Sequence, residues 1–206
     1  NSELVIQQLN ANIGNTHIDL TGSLFNFMND NITYSANIEN SIVAKQDLIN
    51  LIKEDLSIIP DVNYAEIKKI QANGSSKHIN ANLDLITDAG GVIGIVNFQF
   101  EPDYKYLADL EFRKLDLEKI TSTSDLASNL NGNIFLEGSG LDIKDMVDTL
   151  FITAYNSMIY RDSIDTMIVR GSLNRGIAEF PEIKVKFPEP RNSFVKLNVS
   201  TDFRNL

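Results

Sequence analysis

Apolar and polar residues alternate with a period of two along most of this chain. Tyr104, Tyr106, Ala108, Leu110 and Phe112 fall on one side of such a run, and Lys105, Asp109 and Glu111 on the other. Val96, Phe98 and Phe100 alternate with Asn97, Gln99 and Glu101, and Ile79, Ala81, Leu83 and Leu85 with Asn80, Asn82 and Asp84. Ile134 with Leu136, Ile183 with Val185 and Phe187, and Val195 with Leu197 and Val199 follow the same rule. Successive side chains of a strand point to opposite faces, so this pattern predicts antiparallel strands with one apolar and one wet face. Asp88 to Gly91, Glu101 to Asp103 and Pro188 to Arg191 carry turn residues between the runs. Runs of roughly nine to twelve residues imply strands of about 30–40 Å.

Helical spacing interrupts the alternation in two places. Leu48, Ile49, Leu51 and Ile52 predict a short helix near 47–55. Ile143, Met146, Val147 and Leu150 stand at i, i+3, i+4 and i+7 and predict a second helix near 142–150. Leu115 to Ile120 reads as a further single turn. The two helical segments also suggest an internal repeat. Glu39, Ser41, Asp47 and Ile49 fall on Glu137, Ser139, Asp145 and Val147 at an offset of 98 residues, and Leu83 and Leu85 on Ile183 and Val185 at 100. The expected organisation is a first strand-repeat unit over 1–112 and a second over 113–206, both in one continuous sheet.

The expected fold class is mostly β: a long antiparallel meander with short helices between strand groups. Either the sheet curls into a groove, or it closes as a sandwich. An apolar face must be covered by something, and the alternation shows the stripe without showing the cover. Val96, Phe98, Phe100, Tyr104, Tyr106, Leu110, Phe112, Ile134 and Leu136 are therefore candidates either for a lipid-lined groove or for a closed core.

Composition narrows the chemistry. With 206 residues and 43% hydrophobic residues the chain can build a large core. It begins at Asn1 and still reads as strand near its end, so it is expected to be a fragment of a longer protein. A formal net charge of −10, with basic residues scattered, argues against nucleic acid and against electrostatic docking on an anionic membrane. The absence of Cys excludes thiolate catalysis and disulfides. No apolar run is long enough for a membrane helix.

Catalytic motifs are lacking. His17 and His78 are the only histidines and lie in alternating stretches. Gly138, Ser139 and Gly140 read as a strand-to-helix turn with Ser139 or Asp142 as N-cap, without the glycines and Lys of a phosphate loop. Asp142, Asp145 and Asp148 read as a solvated helix face, without the alternating oxygen ligands of a calcium loop. A carboxylate pair such as Glu137 and Asp145 acting on a glycan is the remaining enzymatic reading. No enzyme, cofactor or metal is expected.

One order of features has a parallel. Leu115 to Ile120 closes a strand, and the polar link Thr121 to Asp125 follows. Then come Leu130 to Gly140, the segment from Asp142 to Leu150, and strands with Ser163 to Met167 and Arg170-Gly171. This order resembles the AsmA-like superfamily, and within it the TamB-type translocation and assembly module proteins. A more diverged copy runs from Asn31 to Phe112. The resemblance implies a long curled sheet, a β-taco, with an apolar inner face in the periplasm of a diderm bacterium. It further implies an inner-membrane anchor outside this segment, and phospholipid or another acyl lipid conducted between the two membranes. An outer-membrane barrel protein is the implied protein partner, through outer-membrane protein assembly. The alternative is a structural or adhesin-like β-repeat scaffold with a closed core and no ligand.

Overall fold

The computed structural model describes residues 2–28, 31–52, 62–191 and 193–203. Twelve strands follow one another in chain order: β1 (Glu3–Ile13), β2 (Thr16–Phe25), β3 (Thr33–Ala44), β4 (Tyr64–Ser75), β5 (His78–Thr87), β6 (Gly90–Gln99), β7 (Lys105–Leu115), β8 (Ser128–Ser139), β9 (Val147–Ile159), β10 (Asp162–Asn174), β11 (Ile177–Lys186) and β12 (Phe194–Asp202). Each is hydrogen-bonded to its neighbours in sequence, so the order in the sheet is the order in the chain. All eleven pairings are antiparallel. β1 and β12 are the two edges and do not meet. The sandwich alternative is therefore corrected: one open meander forms, and no second sheet lies on it among the described residues.

The accessible surface reflects this single layer. It amounts to 13161 Å², whereas a compact monomer of 23.0 kDa exposes about 9,600 Å². Among the described residues only a few apolar side chains are buried. Phe112, Leu130 and Ala154 form one cluster, with Leu115, Leu117, Ile134, Ile152, Ile159 and Met167 packed around it.

The first helix is α1 (Lys45–Ile52), between β3 and β4; the expected continuation to residue 55 lies outside the described residues. Asp47 fastens it to the β1–β2 hairpin by accepting from the Asn15 N–H at 2.7 Å and the Thr16 hydroxyl at 3.0 Å. The single turn expected at 115–120 is α2 (Leu117–Thr121), followed by a 3₁₀ turn over Ser124–Leu126. Asp116 caps α2 by accepting from the Glu118 N–H, and Leu117 packs against the buried cluster.

The helix expected near 142–150 does not form. Residues 142–146 make a tight turn in which the Asp145 and Met146 N–H groups donate to the Asp142 carbonyl, both at 2.8 Å. β9 begins at Val147. Val147, Thr149, Phe151, Ile152 and Thr153 supply strand-favouring side chains, and pairing with β8 and β10 outweighs a helical spacing carried by four residues. Asp142, Asp145 and Asp148 consequently share no helix face.

The repeat offset of 98 links β3 to β8, five strands later. Neighbouring strands alternate in direction, so the two segments run oppositely and lead to opposite ends of the sheet. The offset of 100 links β5 to β11, six strands later and running the same way. The division at 112/113 falls inside β7.

A different repeat is present in the backbone. Asn40 and Asn156 both adopt a left-handed conformation, φ 47° and 45°, at bulges in β3 and β9. Each is followed by a buried serine. The Ser41 hydroxyl accepts from the Asp19 N–H and donates to the Glu39 carbonyl, both at 2.8 Å. The Ser157 hydroxyl accepts from the Asn131 N–H at 2.9 Å and donates to the Tyr155 carbonyl at 3.0 Å. An extra residue in one strand leaves backbone groups without ladder partners, and the serine satisfies one on each strand. Ser41→Ala or Ser157→Ala should lower unfolding free energy by about 1–3 kcal/mol. Urea titration checks this, with Ser35→Ala on an exposed position near zero.

At the same end of the sheet, Lys119 of α2 donates to the Asp88 carbonyl at 2.7 Å, and its ammonium lies 3.6 Å from the Asp88 carboxylate. Asn63 donates to that carboxylate through its backbone N–H at 3.0 Å and its side-chain amide at 2.8 Å. Burial opposes ionisation of Asp88, but the two Asn63 bonds and Lys119 outweigh it and hold the carboxyl below its ordinary range. A lowered folded pKa stabilises the fold fully above the unfolded carboxyl pKa of about 3.9, and that contribution is lost as pH falls through the folded value. Asp88→Asn should therefore flatten the acid limb of stability against pH. Urea midpoints measured from pH 6 down to pH 2 check it.

Candidate functional site

Directly paired residues in an antiparallel ladder share a face, so the register assigns every strand position. One row crosses all twelve strands: Leu9, Leu20, Ile38, Ile70, Leu83, Gly94, Leu110, Ile134, Ile152, Val169, Ile183 and Leu197. Every member is aliphatic or glycine. A second row, towards α2, contains Ile67, Leu85, Val92, Phe112, Gly132, Ala154, Met167 and Val185. A third, on the other side, contains Ile6, Gly22, Ala36, Ala72, Ala81, Val96, Ala108, Leu136 and Leu150. At about 4.8 Å between strands, the stripe is roughly 50 Å long.

No second layer lies over this stripe among the described residues. Its central members are half-buried by their own neighbours, and its ends at Leu9 and Leu197 are 48% and 51% exposed.

All nine residues proposed from the sequence are placed together. Val96, Phe98, Tyr106, Leu110, Phe112, Ile134 and Leu136 lie on this face by register. Phe100 and Tyr104, just outside β6 and β7, join Phe98 in a ring cluster. Phe98 is 4.8 Å from Phe100, 6.4 Å from Tyr104 and 6.2 Å from Tyr106, centroid to centroid. Phe112 differs from the rest, being 5% exposed within the cluster next to α2.

Of a fourth row, alternation assigns Ile79, Phe98 and Tyr106 but not Asp148. Tyr34, Gly74, Ile79, Phe98, Tyr106, Gly138, Asp148 and Leu173 run along the rim away from the helices. The Tyr106 hydroxyl donates to Asp148 Oδ1 at 2.5 Å across the intervening strand. Gly138 makes this reach possible: a Cβ there would stand 1.7 Å from Asp148 Oδ1 and 2.9 Å from the Tyr106 ring. Burial, the bond to Asp148 and its negative charge all raise the Tyr106 pKa. The phenol stays a neutral donor. A similar close approach sets Phe112 over Gly132 and Phe180 over Gly171.

The opposite face is polar but not uniformly so. Asn37, Gln71 and Asn82 stand in line across three strands, and Glu39–Lys69, Glu111–Arg113 and Arg170–Glu182 form ion pairs. Ile93, Ile95, Phe135 and Phe151 also lie there, with the Arg170 guanidinium 5.3 Å from the Phe151 ring. A depression of about 450 Å³ opens on this side around Asp84, Ile86, Gly91, Ile93 and Arg113. It is a dent left by Gly91 between longer side chains.

Of the remaining polar candidates, His17, His78 and Asp142 have local partners. His17 Nδ1 lies 2.8 Å from Asn12 Oδ1, and His78 Nδ1 lies 2.9 Å from the Ser75 hydroxyl. Asp142 Oδ1 accepts from the Lys144 N–H at 2.9 Å, which caps a turn and not a helix. Glu137 lies on the polar face of β8, while Asp145 lies in the β8–β9 turn. Among the described residues, no group of three His, Asp or Glu side chains could hold a metal ion.

The chain matches no family model, no curated protein and no solved structure.

Gly138→Val should remove the bond between Tyr106 and Asp148 by filling the gap between them. The expected outcome is a fall in the phenol pKa towards its ordinary value, checked by ultraviolet titration against Tyr106→Phe as the blank.

Proposed function

We propose that this chain is the lipid-binding segment of a cell-envelope protein, holding acyl chains against the open apolar face of its sheet. The observation that carries the reading is the row from Leu9 to Leu197, aliphatic or glycine at every strand and without a cover among the described residues. A continuous apolar stripe of this length, with no layer over it among the described residues, marks an interaction surface. Each acyl CH₂ withdrawn from water onto it contributes about 0.8 kcal/mol. A uniform lining also lets a chain move along the stripe without a change of environment, as conduction between two membranes requires.

Within this reading the segment belongs to the periplasm of a diderm bacterium, carries lipid between the inner and outer membranes, and is held by an anchor elsewhere in the protein. A role in outer-membrane protein assembly, with a barrel protein as partner, extends the same proposal. No catalyst is needed for lipid to slide along an apolar lining. The scaffold alternative with a closed core requires a cover that the described residues do not supply.

Photo-crosslinking decides between them. A photoreactive residue at Leu110 or Ile134 should crosslink to phospholipid in cells, and one at Asn97 or Asn133 on the polar face should not. Equal crosslinking from both faces, or none from either, would overturn the reading.

A further inference from the structure

The rim row carries a carboxylate where its neighbours are apolar. Asp148 stands between Gly138 and Leu173 in register. It cannot be explained as part of the polar face, because the bond from the Tyr106 hydroxyl places it on the apolar side. Tyr106 reaches it by lying across Gly138, and the ring is stacked with Phe98 at an interplanar angle of 17°. Phe100 and Tyr104 extend the same ring cluster, with Tyr104 45% exposed. A carboxylate bonded to a tyrosine, at the margin of an acyl-binding stripe, is chemistry suited to a cation with an apolar body attached. Ring faces attract ammonium groups, and a charge-assisted bond to a carboxylate adds to that attraction.

We infer that Asp148 and the Tyr106 ring bonded to it form a headgroup site for ammonium-bearing phospholipids, with Phe98, Phe100 and Tyr104 as its apolar flank, a reading that rests on the acyl-binding proposal. The acyl chains lie along the aliphatic rows while the ammonium sits at the rim against Asp148. Lipids whose headgroup is anionic without an amine are disfavoured there by the carboxylate. The site thus selects by headgroup where the stripe alone accepts any acyl chain.

The test mixes the purified chain with phosphatidylethanolamine, its N-acetylated form and phosphatidylglycerol, all with the same acyl chains, and reads bound lipid by native mass spectrometry. The wild type should favour phosphatidylethanolamine over both others by about tenfold, the scale of one charge-assisted bond. Asp148→Asn should bring the three within about twofold by lowering phosphatidylethanolamine uptake towards that of the other two lipids. Asp148→Lys should favour phosphatidylglycerol. Circular dichroism confirms that each variant is folded, and the comparison of three lipids on the wild type stands without any variant. Equal uptake of all three by the wild type would overturn the headgroup site and leave acyl binding intact. An unchanged preference in Asp148→Asn would also overturn it, leaving Asp148 as a structural partner of Tyr106. Uptake of none of the three would overturn both readings.

Discussion

Nearest-neighbour hydrogen bonding between consecutive strands is the constraint on which everything else in this structure depends. In a meander each strand obtains its ladder partners from the strands before and after it, and no long-range crossover is needed. The apolar side chains then have to be stabilised within one layer. They achieve this only in part, through flanking side chains in the same rows and through the cluster of Phe112, Leu130 and Ala154 beside α2. The large accessible surface and the unmet apolar stripe are two expressions of the same fact. A sheet whose backbone is satisfied but whose face is not has a reason to bind something apolar.

Small residues and bulges shape that face. Gly132, Gly138 and Gly171 let rings lie across the sheet instead of standing up from it, which keeps the stripe low and even. The bulges at Asn40 and Asn156 bend and twist the strands locally, and the buried hydroxyls of Ser41 and Ser157 close the gaps the bulges open. These features occur six strands apart and with the same strand direction. They form a structural echo quite separate from the helical segments that suggested a repeat.

Much of the candidate site was legible along the chain. Alternation in Tyr104 to Phe112 and in Val96 to Phe100 assigns those side chains to one face, because the period of a strand is a property of the backbone itself. The helix near 142–150 was misread for an equally physical reason. Ile143, Met146, Val147 and Leu150 satisfy a helical spacing, yet Val147 to Ile159 can also pair on both sides as β9, and tertiary pairing prevails over a local pattern of four residues. The Tyr106–Asp148 contact was invisible because it joins residues 42 apart across an intervening glycine.

The sequence by itself determined the strand content, the apolar and polar faces, the turns, and the absence of recognisable catalytic motifs. All of these follow from local periodicity and residue chemistry. Only the tertiary structure decided that the sheet stays open, that one aliphatic row runs through every strand, and that a carboxylate stands at its rim. Those properties depend on register between strands, and register is a relation among distant residues that no local pattern contains.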